Sequence, residues 1–285
     1  MNRVLIIGSD NHKVTSIGDA LSSAGHPFEY TAGHCDALQR LRSRSFAVVI
    51  NSPDSAVEED LALLEEMRLI RPGVNCIVLA HRNTPDEVIA ALRANIFACF
   101  TAPFNWSQIA LLARQAASES PWREDIHVLS ARPGWVSVRI NCRLITADRI
   151  MAFAKELNTQ LPEGSRMELM QALREILLNA MEHGGAYDPE KVVELTAVRT
   201  ARALVFYLRD PGTGFRPESL AHAAIANPPE NPAAHIRVRE KQGMRPGGYG
   251  LLMAAGTVDE LIYSDVGNQV LLIKYMDSIS TAGTA

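Results

Sequence analysis

The chain has 285 residues, 47% of them hydrophobic, 21% charged and 6% aromatic, with a formal net charge of -4. That is enough apolar side chain for two ordinary cores, and the near-neutral balance excludes the broad basic footprint of a nucleic-acid binder. No stretch approaches the roughly 20 apolar residues of a membrane span, and the run Val4 to Ile7 is too short for a secretory core. The expectation is a cytoplasmic protein with neither a membrane nor a nucleic acid as direct partner. Cys35, Cys76, Cys99 and Cys142 form no CxxC pair, so they read as reduced, structural thiols.

The first half alternates short apolar runs with amphipathic ones. Val4 to Ile7, Pro27 to Tyr30, Phe46 to Ile50, Cys76 to Ala80 and Phe97 to Thr101 read as five buried parallel strands. Ser16 to Ala24, Val57 to Ile70, Asp86 to Arg93 and Trp106 to Ala117 read as helices between and after them. Pro72-Gly73 and Thr84-Pro85 punctuate the pattern, and Asp86 and Glu87 suit a first helical turn. The fold class predicted here is α/β, with a doubly wound, five-stranded parallel sheet.

This rhythm, with T-A-P-F at Thr101 to Phe104, resembles the receiver domain of two-component response regulators over about residues 1 to 119. A working receiver carries two acids after its first strand, a phosphate-accepting aspartate ending the third, a hydroxyl residue ending the fourth and a lysine ending the fifth. The matching positions here are Gly8 and Ser9, Asn51, Ala80 and Ala102. Without the carboxylate nucleophile, the metal-binding acids and the lysine, aspartyl phosphorylation has no mechanism. Asp10 and Asp54 are the nearest carboxylates, and neither restores the lysine. The half reads as a pseudo-receiver left with a docking role, on the face that receivers build from the fourth strand, fourth helix and fifth strand. Phe97, Phe100 and Trp106 lie in that region and read equally well as core.

Ser118 to Pro121 begins a short linker, set at 120–125, and a second domain is expected over 126–277 with a polar tail at 278–285. Strands near His127 and over Trp135 to Ile140 come first, then a helix near Thr146 to Leu161. In E-I-L-L-N-A-M-E-H-G, Glu175, Asn179 and His183 recur every four residues, while Leu173, Ile176, Leu177 and Ala180 can face a core. D-P-G-T-G-F, Asp210 to Phe215, follows the strand-like Ala203 to Leu208 and so puts an acid at a strand end before a glycine turn. R-P-G-G-Y-G-L, Arg245 to Leu251, sets Gly247, Gly248 and Gly250 before an apolar run, where backbone amides and a helix dipole can meet phosphates. Between the last two blocks lies a proline-dotted, little-patterned stretch of lid character. Its Arg237, Arg239, Lys241 and Arg245 are candidate counter-charges for phosphate.

In order and spacing the three blocks resemble the N, G1 and G2 boxes of the Bergerat-fold ATPases, a group that includes gyrase, heat-shock chaperones, histidine kinases and anti-sigma-factor serine kinases. The resemblance covers about residues 126 to 276 and implies a two-layer α/β sandwich binding ATP and Mg2+. It implies that Asn179 ligates the metal, that Asp210 accepts from the adenine amino group, and that Gly212 and Gly214 line the base pocket. Gly247, Gly248 and Gly250 would sit at the phosphates with Arg245 near them. His183 either joins the site or caps the helix end. Histidine kinases usually have Asn where this chain has Glu175. The serine kinases have Glu there, which makes Glu175 the expected catalytic base or positioning group. No helix pair with an exposed acceptor histidine precedes the N box.

The function expected is that of an anti-sigma-type protein serine/threonine kinase acting by partner switching. Its partners would be an antagonist protein with an acceptor Ser or Thr and a sigma factor or similar client. The resemblances favour a homodimer through either half, although no coiled-coil heptads provide a dedicated element. The alternatives are a module that binds ATP without turnover and an atypical histidine kinase.

Overall fold

The computed structural model describes residues 3–9, 11–119, 124–158, 161–215, 220–228, 230–241, 243 and 248–276. The expected tail, Asp10, Arg245, Gly247 and most of the expected linker lie outside the described residues. The chain divides into two compact units, one of Met1–Asp125 with Asp148–Leu157 and one of Ile126–Ala147 with Asn158–Ala285. Among the described residues no helix is long and apolar enough to cross a membrane.

The first unit is built on five parallel strands, β1 (Val4–Ile7), β2 (Phe28–Thr31), β3 (Val48–Asn51), β4 (Asn75–Ala80) and β5 (Ala98–Thr101), in the order β2-β1-β3-β4-β5. β1 and β3 are buried along their whole length, as continuous apolar runs in a sheet covered on both faces must be. The helices are α1 (Asn11–Ser23), α2 (His34–Ser43), α3 (Val57–Ile70), α4 (Pro85–Arg93) and α5 (Trp106–Ser118). α1 packs with α5, while α2, α3 and α4 pack in a row. The α4 start is fixed by a capping box: the Glu87 amide donates to Thr84 Oγ1 at 3.3 Å and the Thr84 amide donates to Glu87 Oε2 at 2.6 Å.

A doubly wound sheet opens a crevice at the carboxyl ends of the strands where the order reverses, here between β1 and β3. In this unit the crevice is filled from within. Asp54 Oδ2 accepts from the Ser9 amide at 2.8 Å, from Ser9 Oγ at 3.2 Å and from Ser52 Oγ at 2.8 Å. Asn51 stands at the end of β3, Ala80 at the end of β4, and Ala102 directly follows β5.

Beneath this loop, Asp60 of α3 is fully buried. Its Oδ1 accepts from Asn51 Nδ2 at 2.9 Å and from Ser55 Oγ at 2.6 Å. Asp60 Oδ2 and Asn51 Oδ1 are buried without a partner among the described residues. Burial pushes the Asp60 carboxyl up to about 6; the bonds from Ser55 and Asn51 and the charge of His34 oppose the rise, and Glu59 adds to it. A proton on Asp60 changes Oδ2 from an unmet acceptor into a donor.

Asp148–Leu157 completes the first unit beside β5. Glu156, itself buried, accepts from the Thr101 amide at 3.2 Å and from the Thr101 hydroxyl, and Asn83 Nδ2 donates to Thr101 Oγ1 at 2.9 Å. Arg149 lies over the Phe97 ring, 4.4 Å from its centroid, and donates to the Phe97 carbonyl at 3.1 Å. Phe97 and Phe100 are core residues. Part of the face read from sequence as a docking surface thus holds residues of this same chain.

The second unit is a six-stranded antiparallel sheet in the order β10-β11-β9-β8-β7-β6. Its strands are β6 (Ile126–Arg132), β7 (Trp135–Asn141), β8 (Val192–Arg199), β9 (Ala203–Arg209), β10 (Glu260–Tyr263) and β11 (Gln269–Tyr275). The helices are α6 (Leu144–Leu157), of which Leu144–Ala147 belongs here, α7 (Glu163–Asn179), α8 (Ala234–Lys241) and α9 (Gly250–Thr257). Alternate residues on the strands, such as Val136, Val138 and Ile140 or Leu204, Phe206 and Leu208, are buried. Leu169, Leu173, Ile176 and Leu177 recur at helical spacing on α7 and supply the facing core, and α9 packs against α7. Cys76, Cys99 and Cys142 are buried, and burial raises each thiol, that of Cys142 to about 11 and that of Cys99 to about 12.

A carboxyl raised on folding stabilises the fold fully below its unfolded value, and that contribution is lost as pH rises through the folded value. Asp60 should therefore cost the native state about 3 kcal/mol between pH 4 and pH 8. Urea unfolding of wild type and Asp60→Asn across that range should show the variant gaining on the wild type as pH rises. A difference that is flat with pH would contradict the assignment.

Candidate functional site

α7 carries Glu175 and Asn179 one turn apart, and the helix then widens into a π turn, Ala180–Gly184. The amide of Gly185 donates to the Ala180 carbonyl at 3.0 Å, the i→i+5 spacing of a π bulge, a distortion that recurs at functional sites. The wider turn brings Asn179 and Gly184, five residues apart, to the same cavity wall.

That cavity, of about 810 Å³, lies in the second unit. Its size falls within the range typical of small-molecule sites. Glu175, Asn179, His183, Asp210, Gly212, Gly214, Gly248 and Gly250 all line it, so the eight described members of the residue set expected from sequence meet at one place. Arg239 also lines it, while Arg237 and Lys241 are exposed and are not among its lining residues.

In the cavity wall, Asp210 follows β9. Its amide donates to the Asn268 carbonyl at 3.0 Å, and its Oδ1 accepts from the Gly212 amide at 2.8 Å. Burial raises the Asp210 carboxyl from its ordinary value, and the Gly212 bond opposes the rise. A Cβ on Gly184 would lie 2.3 Å from Asp210 Oδ1, so only glycine lets the N-box turn approach this carboxylate. Asn268 Nδ2 donates to the Gly212 carbonyl at 3.3 Å, whereas Asn268 Oδ1 is a buried acceptor with no partner among the described residues. Tyr263 lines the same region, edge-on to Phe215 at 5.2 Å, its hydroxyl raised by burial and by Asp210.

Gly248–Gly250 and the start of α9 also line the cavity. A Cβ on Gly250 would lie 2.5 Å from Glu175 Oε2, which locates the Glu175 carboxylate directly against that turn. Gly248 has φ +94°, a conformation that side chains rarely adopt, and a Cβ there would lie 2.7 Å from the His222 carbonyl oxygen. The Ala224 amide donates to the Gly248 carbonyl at 2.8 Å, tying the glycine turn to the lid.

The described residues of the lid hold local structure that their composition does not suggest. Asn227 organises it: its Oδ1 accepts from the His235 amide at 2.9 Å, its Nδ2 donates to the Pro232 carbonyl at 2.5 Å, and it meets His235 Nδ1 at 2.7 Å. This starts α8, whose buried His235 stands edge-on to Tyr249 at 4.6 Å. Periodicity does not reveal so short a helix. His222, Tyr249, Met253, Tyr263 and Asn268 line the cavity and were not singled out from sequence. The Asn in G-N-Q before an apolar strand was the one legible hint among them.

Residues 141–274 match the family model of the histidine kinase-like ATPase domain, and the second unit carries such a domain. Solved structures similar in fold to the other part of the chain include response regulator receivers. One is a CheY-like receiver domain protein from Methanospirillum hungatei JF-1, 20% identical, with 41% of this chain and 94% of that one covered and a TM-score of 0.38. Another is a response regulator from Thermotoga maritima, 18% identical, with coverages of 42% and 99% and a TM-score of 0.39. No curated protein matches the chain.

The domain family implies ATP binding, and the donor set fits a purine nucleotide: a carboxylate acceptor, an orphaned amide oxygen, a glycine turn and Arg239 in one cavity. Gly184→Ala should displace Asp210 and weaken ATP binding roughly 10- to 100-fold, the loss of one charge-assisted hydrogen bond. Calorimetric titration of the folded variant checks this, and wild-type affinity would contradict the assigned contact.

Proposed function

We propose that this protein is an ATP-dependent protein serine/threonine kinase of the anti-sigma-factor type, with a receiver-like unit that regulates or docks without being phosphorylated. The observation that carries the reading is the position of Glu175. It is a carboxylate one helical turn from Asn179, set against the Gly250 position of the glycine turn, in the cavity that Asp210 also lines. Phosphoryl transfer asks for positioning and charge neutralisation more than covalent help from the protein.

In this scheme Asp210 holds the adenine amino group and the glycine turn receives the phosphates. Asn179 offers a hard amide oxygen suited to magnesium. Magnesium, when bound, supplies charge neutralisation on the triphosphate. Glu175 orients an incoming serine or threonine hydroxyl and accepts its proton as the oxygen–phosphorus bond forms and the bond to the ADP oxygen breaks. Arg239 adds positive charge from the lid. The acceptor belongs to an antagonist protein, and competition between that antagonist and a sigma factor or similar client for one surface gives partner switching. Asn51 in place of the receiver's aspartate and the crevice filled by Asp54 support a first unit that does not take up phosphate.

Glu175→Gln should keep ATP affinity within about threefold and lower transfer to a co-purified acceptor roughly 10²- to 10⁴-fold, the usual contribution of a general base. Radiolabel transfer from ATP, with an acid-stability test of the product, checks it. Undiminished transfer by the variant would remove Glu175 from the mechanism. Binding without any labelled partner would favour the non-catalytic module, and acid-labile label would favour histidine phosphorylation.

A further inference from the structure

His222 stands at the start of the lid, in the cavity wall, and is not part of any of the three boxes. Its backbone is wedged against Gly248, and Arg239 Nη1 donates to its carbonyl at 3.1 Å. His183 lines the same cavity from the π turn. The cavity lining thus includes two histidines and Arg239, and the Arg239 side chain lies beside Gly248. The acidic groups facing the cavity are Glu175 from α7, Glu182 from the π turn and Asp210 from the end of β9.

We propose that His222 is a proton-linked phosphate ligand: its imidazole takes up a proton when a nucleoside triphosphate enters, so that ATP binds together with a proton. This rests on the reading of the cavity as an ATP site and adds a residue and a regulatory variable to it.

The physical basis is reciprocal. In the free protein, burial lowers the affinity of His222 for a proton, and the positive charges of Arg239 and His183 lower it further. A triphosphate against Gly248 reverses the local field, and the imidazolium becomes a counter-ion and a second N–H donor. Because a ligand that favours the protonated form is favoured by it in return, ATP affinity must rise as pH falls through the neutral range.

The test follows the His222 imidazole signals by NMR in the full chain through a pH titration, free and loaded with ATP, with His222→Gln assigning the resonance. Calorimetry in buffers of different ionisation enthalpy counts the protons taken up. The expected result is a rise in the His222 titration midpoint of at least about one pH unit on loading, an effect of roughly tenfold on affinity. Near pH 7 this should appear as up to about one proton bound per ATP. Adenosine, which lacks phosphates, should leave the midpoint unchanged.

His222→Gln should take up correspondingly fewer protons than wild type and lose that part of the pH dependence, which separates it from protonation of the nucleotide itself. An unchanged His222 midpoint, or a proton count equal in the variant and wild type, overturns the proposal. So does uptake that disappears in His183→Gln but persists in His222→Gln. Should the free titration show no ATP binding at any pH, the ATP reading itself fails, an outcome distinct from binding without proton uptake.

Discussion

The second unit is organised around one carboxylate held at close quarters. Asp210 is confined between the Gly212 amide that it accepts from and the Gly184 backbone that could tolerate no side chain. The close approach joins two segments distant in sequence, the π turn after α7 and the loop after β9. It requires a glycine in the first, an acid in the second and the π bulge that carries Gly184 to the cavity wall. A half-buried acceptor is costly to build and pairs best with a donor group of the right shape. The domain family implies ATP binding, and Asp210 lines the cavity of that domain.

The first unit shows the opposite economy. Its sheet order provides the crevice in which doubly wound proteins bind ligands, yet Asp54 and its three donors fill the place and Asn51 is engaged with Asp60 below. Internal hydrogen bonding holds the carboxylates nearest that place, and Arg149 and Glu156 engage part of the β5 side from within the chain.

Much of this was legible from local pattern. Val57 to Ile70 reads as a helix and forms one with those bounds, because charged residues open it and apolar ones recur along it. The buried strands of the first unit are continuous apolar runs, and the three ATPase blocks keep their order and spacing. What stayed hidden depends on contacts between distant residues. The Thr101–Glu156 pair joins positions 55 apart in sequence, and nothing local marks either partner. α8 exists because Asn227 caps it from a loop, and His222 and Asn268 acquire meaning only when the lid and the β10–β11 turn close on the cavity. The π turn is invisible to a reading at helical period, which places His183 correctly and misses the contribution of Gly184.

The central claim is that the cavity of the second unit is an ATP site with Asp210 as its acceptor for the base. The most direct test is calorimetric titration of the folded full chain with ATP, with and without magnesium, beside Asp210→Asn, which presents a donor where an acceptor is needed. The account predicts magnesium-dependent binding by the wild type and its loss in the variant. Absence of binding by the folded wild type, or equal binding by Asp210→Asn, would contradict it.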